Sequence, residues 1–586
     1  MTNKSQSYKF LGTGFVDFSL AKGVNLKFLF GADIDSGREY SFVPSTTYEG
    51  SSVQGQGSIG NILRESWLNE NTLTYSNDWN DNHHFDALVG FTQQKFRVET
   101  QASGSSGYVT DLTTYNSLGS GSVVATPSSS AQENALISFL ARVNYNYLHR
   151  YYITASVRRD GSSRFGKDNK WGTFPSVGLS WLASEENFLK PLSKTLSSLK
   201  VRASYGKTGN QEIGNYQSLS TLSSTTYMLG GTNVIGFTPD RISNNDLGWE
   251  TTHQLDLGVD VALLNNRLDL TIDAYIKRTT DLLLSVEIPY TTGYGSSLQN
   301  YGSVRNVGVE FSLTSHNIVR KNFTWDTDFN ISFNRNEVLS LGNGSDYYIY
   351  GSMNTGSYIA KVGEALGSFY GLVTDGILQK GEEAERAKYT SAPASAKAGD
   401  QLYKDIDGDG SFSTTNDRTI IGNAQPDFTF GLNNTLRYKQ WNLSFFLQGV
   451  VGNDIINANE LSLSLYSGQQ NATARALGRW TETNPSTTVN RAKLDPATNF
   501  SDLYVEDGSF LRLKTATLAY NFKKNVLRSL HLSSLKLYVT GNNLWTLTNY
   551  SGFDPEITTA SNIYQGRDSG AYPVAKSYSF GAVIGF

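Results

Sequence analysis

The sequence predicts an all-β fold, a transmembrane antiparallel β-barrel with about 17 strands. Apolar and polar residues alternate through segment after segment, and short turns alternate with long polar connections along the whole chain. Alternation with period two is typical of β-strands, because successive side chains leave a strand on opposite faces. Short turns at one end and long loops at the other are the asymmetry of outer-membrane barrels.

Residues 254–277 show the pattern most clearly and predict two strands joined by a tight turn at Asn265 and Asn266. Asparagine suits this turn because it tolerates left-handed backbone angles. One face of both limbs is apolar. The other face carries four aspartates: Asp256, Asp260, Asp269 and Asp273. A soluble sandwich would bury the apolar face, whereas a membrane barrel turns it to lipid, lines its lumen with the aspartates and directs this turn to the periplasm.

The same alternation places the other strands. We expect them at residues 10–20, 24–33, 68–75, 85–96, 136–147, 151–159, 171–182, 199–205, 304–315, 323–333, 428–438, 441–450, 510–522 and 535–540, with a last strand at the C-terminus. Residues 184–198 suggest a short helix. Four polar segments are predicted as long loops, the first of them flexible because it is rich in Ser, Gly and Thr: 101–130, 206–249, 334–426 and 452–508.

Composition excludes several classes of function. A net charge of -4 and a pI near 6.0 provide no field for a polyanion, so nucleic acid is not an expected partner. The absence of cysteine excludes disulfides, thiolate metal sites and cysteine catalysis. Neither H-E-x-x-H nor G-x-S-x-G occurs, and the acidic pairs are explained by a polar lumen, so we expect no enzyme.

An acidic segment, residues 405–417, is the most site-like part of the sequence. Carboxylates at its first, third and fifth positions, followed by Gly410 at the sixth, resemble the start of a calcium loop. Asn416 stands where an EF-hand has its bidentate glutamate, so a structural calcium clip and a solvated acidic turn both remain open. The candidate ligands are Asp405, Asp407, Asp409, Ser411 and Asp417.

The C-terminal strand alternates up to its last residue. Tyr578, Phe580, Ala582 and Ile584 share one face, and the chain ends on Phe586. A terminal aromatic on an alternating strand resembles the insertion signal of outer-membrane barrels, although any β-protein can end in a half-buried strand.

Several segments together resemble the SusC/RagA family of TonB-linked outer-membrane proteins, and they occur in the family's order. The most specific is DIDGDGSFSTTNDRTIIGNAQPDFTFGLNNTLRYKQWNLSFFLQGVVGNDIIN, residues 405–457. The others are residues 151–166, 171–189, 199–216, 245–260, 300–313, 509–522 and 535–557.

The resemblance implies a barrel of about 22 strands whose lumen is plugged. It implies import of oligosaccharides or peptides across the outer membrane, driven through TonB, with a SusD-like lipoprotein as a lid over the loops. It implies no cofactor beyond the structural calcium considered above. Residues 1–586 are then a partial TonB-dependent receptor barrel domain, and we expect the plug domain, the signal peptide and roughly five first strands to be absent.

Two alternatives of other classes remain open. One is a self-contained porin-like channel that closes with about sixteen or eighteen strands. The other is a secreted carbohydrate-binding β-protein. The sequence names neither the substrate nor the oligomeric state.

Overall fold

The computed structural model describes residues 1–342, 346–352, 356–464, 471–493, 499–529, 531–557 and 563–586. Its contacts divide the chain into two units. The first unit comprises residues 1–181, 204–253 and 280–301, and the second comprises residues 182–203, 254–279 and 302–586.

The described chain contains thirty β-strands. The first sixteen are β1 (Thr2–Ala21), β2 (Val24–Val43), β3 (Gln56–Trp79), β4 (His83–Tyr108), β5 (Gly121–Tyr147), β6 (Tyr151–Ser162), β7 (Trp171–Leu182), β8 (Leu196–Asn210), β9 (Thr221–Leu229), β10 (Thr232–Arg241), β11 (Glu250–Leu263), β12 (Leu268–Thr280), β13 (Leu283–Glu287), β14 (Ser296–Asn300), β15 (Ser303–Arg320) and β16 (Phe323–Ser340).

The remaining strands are β17 (Tyr347–Ser352), β18 (Gly356–Lys361), β19 (Ser368–Leu372), β20 (Thr374–Ile377), β21 (Gln401–Tyr403), β22 (Arg418–Gly422), β23 (Phe428–Tyr438), β24 (Trp441–Val451), β25 (Asp454–Asn457), β26 (Val505–Asp507), β27 (Phe510–Asn521), β28 (Ser534–Thr548), β29 (Arg567–Asp568) and β30 (Ser577–Gly585). Helices are short: α1 (Tyr48–Ser51), α2 (Glu383–Arg386), α3 (Ala458–Leu463) and α4 (Lys524–Ser529). The 3₁₀ turns are Asp111–Asn116, Leu118–Ser120, Ala183–Glu185, Lys190–Leu192, Tyr290–Thr292, Ala387–Tyr389, Pro393–Ser395, Ala474–Gly478 and Asp502–Tyr504.

Seventeen strands form one sheet, which confirms the expected number. They are β1 to β8, β11, β12, β15, β16, β23, β24, β27, β28 and β30. Within this sheet, each strand from β1 to β7 pairs antiparallel with the next strand of the sheet. The same holds from β15 to β30, where the strands of the small sheets are skipped. The expected total of about 22 strands for a closed barrel stays a prediction. No helix in the described ranges has the length and apolar character needed to span a membrane.

The hairpin of β11 and β12 has the predicted turn. Asn265 and Asn266 adopt φ angles of 57° and 59°, the left-handed region that asparagine tolerates. Leu264 also adopts φ of 55°, which the sequence did not indicate because leucine rarely occupies this region. The tight turn therefore uses one unfavourable residue, and the strand on each side continues in regular alternation.

The exposure of this hairpin is inverted relative to a soluble protein. Leu255, Leu257, Ile272 and Ile276 are exposed, and Leu257 has 54% of its surface accessible. All four predicted lumen aspartates, by contrast, are half-buried. Soluble monomers rarely expose a contiguous apolar face of this kind. The apolar face is thus the one that meets the surroundings, as a barrel in lipid requires.

One loop prediction and one helix prediction were wrong. Residues 101–108 and 121–130 belong to β4 and β5, which pair as far as Tyr108 and Gly121, and only residues 109–120 connect the two strands. Ser, Thr and Gly provide little apolar signal for a strand. The neighbouring strand nevertheless satisfies their backbone hydrogen-bonding groups. The hydroxyls of the paired residues Thr100 and Ser130 also form a hydrogen bond of 2.7 Å. The segment 184–198 forms two 3₁₀ turns rather than an α-helix.

Three other segments predicted as loops contain small sheets. Residues 206–249 contain the hairpin β9–β10. Residues 334–426 contain the whole four-stranded sheet of β17, β18, β19 and β22 together with the pair β20–β21, and residues 452–508 contribute β25 and β26. The strands in the last two segments are three to six residues long, which is too short for an alternation pattern to be recognised. The nine residues of β9 are mostly Ser and Thr, which provide little apolar signal.

Inserting a cation on the apolar face will destabilise the protein in lipid. We expect Leu257→Arg to lower the free energy of unfolding in phospholipid vesicles by about 2–4 kcal/mol, measured by urea titration. Asp256→Arg is the matched control, because the same side chain is placed one residue away on the polar face, where we expect a change below about 1 kcal/mol. Equal losses for the two variants would contradict the assignment of faces.

Candidate functional site

The three long segments between β16 and β30 fold together into a loop module, defined as the described residues of 341–427, 452–509 and 549–576. Its core contains Tyr358, Phe369, Ile456, Leu461 and Phe500, all nearly inaccessible to solvent. These side chains come from β18, β19, β25, α3 and the segment before β26. Burial of aromatic and branched side chains from separate loops stabilises the module, so it presents a folded surface.

A buried arginine ties the last of these loops to the main sheet. Arg512 of β27 is 3% exposed at its side chain; its Nη2 donates to Asp554 Oδ1 at 2.6 Å and its Nη1 to Glu556 Oε2 at 2.6 Å. Lys514 Nζ donates to the same glutamate oxygen at 2.8 Å. Guanidinium–carboxylate pairs with two donors have defined geometry, so this contact fixes where the loop leaves β28.

The surroundings of Asp554 favour its ionised form. Burial alone would raise the pKa of its carboxyl. The hydrogen bonds from Arg512 and from the amides of Glu556 and Val574 outweigh burial, and the net pKa lies below the usual value. Asp554 and Glu556 flank Pro555 in the sequence, but nothing in the sequence identified Arg512 as their partner.

A second buried carboxylate joins two segments of the module. Asp400 accepts hydrogen bonds from Arg491 Nε at 2.7 Å and Lys493 Nζ at 3.0 Å. Burial raises the pKa of this carboxyl, but the two cations and the amide of Lys397 outweigh that effect and the net pKa is lowered. The segments around residues 400 and 491 are therefore joined by charge as well as by the apolar core.

The acidic turn predicted to bind a cation lies on this module. Asp405, Asp407 and Asp417 each place a carboxylate oxygen within 4.8 Å of the others. Asp417 is fully buried, and Phe412 anchors the turn by stacking on Tyr403 with ring centroids 4.7 Å apart. Three carboxylates that converge from one loop suit a hard cation such as Ca²⁺, so the donor set fits the predicted metal.

Backbone amides occupy much of the acceptor capacity of these carboxylates. Asp405 accepts from the amides of Gly408 and Gly410 at 2.6 and 2.7 Å, and Asp417 accepts from the amides of Ile406 and Ser413, both at 2.6 Å. This pattern also satisfies a solvated acidic turn. Calcium binding therefore stays a prediction.

Asp409 is not part of this carboxylate cluster, and Ser411 stays a predicted ligand. Asp409 directs its carboxylate to the amide and hydroxyl of Ser411, at 2.8 and 2.9 Å, on the exposed side of the turn. Asp405, Asp407 and Asp417 are thus the set that the fold brings together. Their proximity depends on the buried position of Asp417, which the spacing of an EF-hand does not anticipate.

Repulsion between the carboxylates is visible in their acidity. A hydrogen bond from the amide of Asp409 lowers the pKa of Asp407, but desolvation and the neighbouring carboxylates of Asp409, Asp417 and Asp405 outweigh it, and the net pKa is raised. Desolvation raises the pKa of Asp405, but its amide hydrogen bonds outweigh this effect, and the net pKa is lowered. A bound cation would relieve the repulsion at Asp407.

The predicted lumen aspartates divide into two groups. Asp260 of β11 and Asp273 of β12 both bind Arg202 of β8, with N–O distances of 2.8 Å. Thr271 also donates to Asp260 at 3.1 Å. Asp256 and Asp269 are half-buried on the same face. The sequence did not predict Arg202 as the partner of Asp260 and Asp273. Alternation shows on which face of a strand a residue lies, but it does not show which strands are neighbours.

Calcium binding gives a direct test of the acidic turn. We expect isothermal titration of the protein with CaCl₂ to show one site, and Asp407→Ala to weaken it at least about tenfold, because a ligand carboxylate is removed. Asp409→Ala is the control and should have a smaller effect, since its carboxylate points away from the cluster. Absence of binding, or equal effects of the two variants, would establish the solvated turn.

Removing the arginine anchor should release the last loop. We expect Arg512→Ala to lower the local opening free energy of residues 549–557 by about 3–5 kcal/mol, because two carboxylates lose their buried partner. Amide hydrogen exchange measures this. Arg335→Ala removes an exposed ion pair with Asp427 and is the control. This variant should change the local opening free energy by less than about 1 kcal/mol.

The pH dependence of the same loop follows from the lowered pKa of Asp554. The stabilisation is complete above the unfolded-state pKa of about 3.9 and is lost as the pH falls through the folded-state value. We expect the local opening free energy of residues 549–557 to fall as the pH is lowered. An opening free energy that falls only above neutral pH would contradict this account.

Comparisons with known proteins agree with the fold. A family model described as TonB dependent receptor-like, beta-barrel, matches residues 3–544. TonB-dependent receptor P3 of Formosa agariphila is 38% identical over 582 residues, which cover 98% of this chain and 57% of that protein. TonB-dependent receptor SusC of Bacteroides thetaiotaomicron is 33% identical over 480 residues, 78% of this chain and 44% of that protein.

A solved structure described as the RagAB peptide transporter superposes with a TM-score of 0.86 and 29% identity, covering all of this chain and 62% of that one. The chain thus spans less than two thirds of the length of these relatives. The motifs that resembled SusC/RagA proteins are confirmed by relatives of those names. The chain belongs to the TonB-dependent receptor-like β-barrel family and is of the SusC/RagA type.

Proposed function

We propose that this chain is the barrel portion of an outer-membrane transporter that imports oligosaccharides or peptides through energy supplied by TonB. The observation that carries the proposal is the similarity of the whole of this chain to 62% of the RagAB peptide transporter chain, at 29% identity, which reflects more than a shared fold. The named relatives are receptors and transporters rather than enzymes.

The geometry supports a position in the outer membrane. The exposed face of the β11–β12 hairpin is apolar and contacts lipid, and the sheltered face, with Asp256, Asp260, Asp269 and Asp273, lines a polar lumen. Arg202 compensates two of these charges. A polar wall of this kind suits hydrophilic cargo, because sugars and peptides need hydrogen-bond partners as they lose water.

The loop module supports the substrate-binding role of the external side. It holds buried ion pairs and an apolar core, so its surface is ordered before substrate arrives, which lowers the entropy lost on binding. In this proposal a SusD-like lipoprotein covers the loops and cargo binds between lipoprotein and loops. Residues 1–586 form the barrel domain in this proposal, and TonB supplies the energy for import.

Uptake in cells tests the proposal. The complete gene is deleted from the native organism and restored, and uptake of fluorescent oligosaccharides and peptides is measured with and without a functional TonB. We expect uptake of one cargo class to require both the gene and TonB, and to stop when the proton gradient is dissipated.

Two outcomes would contradict the proposal. Uptake that persists without TonB, together with ion conductance of the purified protein in planar bilayers, would favour the porin-like channel. A protein recovered from the medium in soluble form would favour the secreted carbohydrate-binding protein.

A further inference from the structure

Positive charge is concentrated on three short connections of the second unit. They join β15 to β16, β23 to β24 and β27 to β28, at residues 320–322, 439–440 and 522–533. These residues include six Lys and Arg and no Asp or Glu. The six, which we name the basic turn surface, are Arg320, Lys321, Lys439, Lys523, Lys524 and Arg528.

The three connections lie side by side. The amide of Lys439 donates to the carbonyl of Asn322 at 2.9 Å, which joins the first connection to the second. The amide of Asn521 donates to the carbonyl of Gln440 at 2.9 Å, which joins the second to the third. The six cations, although distant in sequence, therefore belong to one continuous edge of the large sheet.

Carboxylates do not compensate this charge. All six side chains are exposed, and none forms an ion pair with a carboxylate among the residues that the structure describes. Asp326 lies four residues beyond the first connection, on β16. Its carboxylate is already bound by His316 Nδ1 at 2.7 Å and by Arg437 Nη1 at 3.0 Å. Like charges that remain together without acids indicate a surface that meets an anionic partner.

Other short turns of the chain do not have this composition. The three turns that join β1 to β2, β3 to β4 and β5 to β6 contain two cations and one acid: Lys22, Arg150 and Asp81. The connection from β7 to β8, residues 183–195, contains two Glu and two Lys. The net charge of the whole chain is -4, so the basic turn surface is a local concentration.

Exposed aromatic side chains lie directly beside the basic turn surface. Tyr438 and Trp441 are 52% and 49% exposed, and the ring of Trp441 contacts that of Tyr520 with centroids 4.8 Å apart. Leu443, two residues along β24 on the same face as Trp441, is also exposed. Tyr and Trp favour the level of lipid headgroups, so the aromatic side chains place the adjoining cations at that level.

The same contacts favour a lipid headgroup over a protein as the partner. Lys439 Nζ lies 5.2 Å over the ring of Tyr438, which keeps its charge on the exposed side of the sheet. Four of the six cations are lysines, a residue that is depleted at protein interfaces. An ammonium group on a flexible stem binds phosphate as a point charge, and basic residues beside a bilayer attract anionic lipids.

We infer that the basic turn surface binds the phosphate groups of anionic phospholipids in the periplasmic leaflet of the outer membrane. This inference rests on the proposed function, because that function places the apolar face in the membrane and the short turns on the periplasmic side. Bound headgroups would hold this edge of the sheet at a fixed depth, since each cation adds attraction that only an anionic surface supplies.

Spin-labelled lipids test the inference with the complete transporter in phosphatidylcholine vesicles. Paramagnetic resonance measures the fraction of labelled lipid whose motion the protein restricts, for phosphatidylglycerol and phosphatidylcholine with identical acyl chains. We expect phosphatidylglycerol to associate at least about fourfold more strongly, because its phosphate charge is not neutralised within the headgroup. We expect about 1 M NaCl to reduce this preference below about twofold by screening.

A triple variant removes half of the charge. We expect Lys321→Gln, Lys439→Gln and Lys523→Gln together to lower the preference for phosphatidylglycerol below about twofold. Glutamine keeps a long polar side chain at these exposed positions. The shift between heated and unheated protein on a gel verifies that the variant is folded.

The matched control removes the same charge from the loop module. Lys361→Gln, Lys388→Gln and Lys397→Gln replace three exposed lysines there, so the net charge changes equally. We expect this variant to keep a preference of at least about threefold, because the loop module lies away from the turns. Equal losses in the two triple variants would show a non-specific effect of net charge and would overturn the inference.

Inorganic phosphate separates a lipid site from a site for the free ion. The preference of the unaltered transporter is measured in sodium phosphate and in sodium chloride of equal ionic strength. We expect the same value in both salts, because a membrane surface holds many headgroups against a single competing ion. A selective loss of the preference in phosphate would assign a site for the free ion and overturn the lipid assignment.

The outcomes also separate this inference from the proposed function. Flotation of the vesicles on a density gradient shows whether the unaltered transporter has inserted. Insertion with equal association of the two lipids, or with a preference that the first triple variant retains, would overturn the inference alone. Failure to insert would contradict the proposed position in the outer membrane, and the inference with it.

Discussion

Backbone hydrogen bonding in a solvent that offers no partners is the constraint on which this structure depends. Within hydrocarbon an unpaired amide or carbonyl group costs several kcal/mol, so strands must satisfy one another along their length. The antiparallel ladders of the large sheet do this over long registers, as between β3 and β4 from Gln56–Ser106 to Trp79–His83. Once the backbone is satisfied, each side chain has only to match the medium on its own face.

That separation explains how one wall carries opposite chemistry on its two sides. Apolar side chains such as Leu257 occupy the exposed face, and Arg202 with its two aspartates occupies the sheltered face. Outside the large sheet, the loops of the same chain fold as a soluble protein does, around a buried apolar core. The loop module buries Phe369 and Phe500, and it uses Arg512 and Asp400 to fix its segments through buried ion pairs.

The parts of the fold that follow local rules were predictable from the sequence. The period-two pattern gave the strands and their faces, and the two asparagines gave the turn of the β11–β12 hairpin. Residues 101–130 were mistaken for a flexible loop, because serine and glycine carry no apolar signal and the strand is specified by its neighbour. The partners of Asp260 and Asp554 were not predictable either, since they are 58 and 42 residues distant in the chain. For the acidic turn, spacing identified Asp405, Asp407 and Asp417, but only the fold separated Asp409 from these three carboxylates.

The central claim is that the exposed apolar face of the sheet contacts lipid and the sheltered polar face contacts water. The chain has no cysteine, so single cysteines can be introduced along β11 from position 255 to position 261 and spin-labelled in a reconstituted bilayer. Collisions with oxygen, which concentrates in hydrocarbon, are compared with collisions with a water-soluble nickel complex. Position 258 is left out, because a Cβ atom at Gly258 would collide with Asp273 and Arg202. The account predicts that positions 255, 257, 259 and 261 favour oxygen and that positions 256 and 260 favour nickel. Equal accessibility to nickel at every position would contradict it.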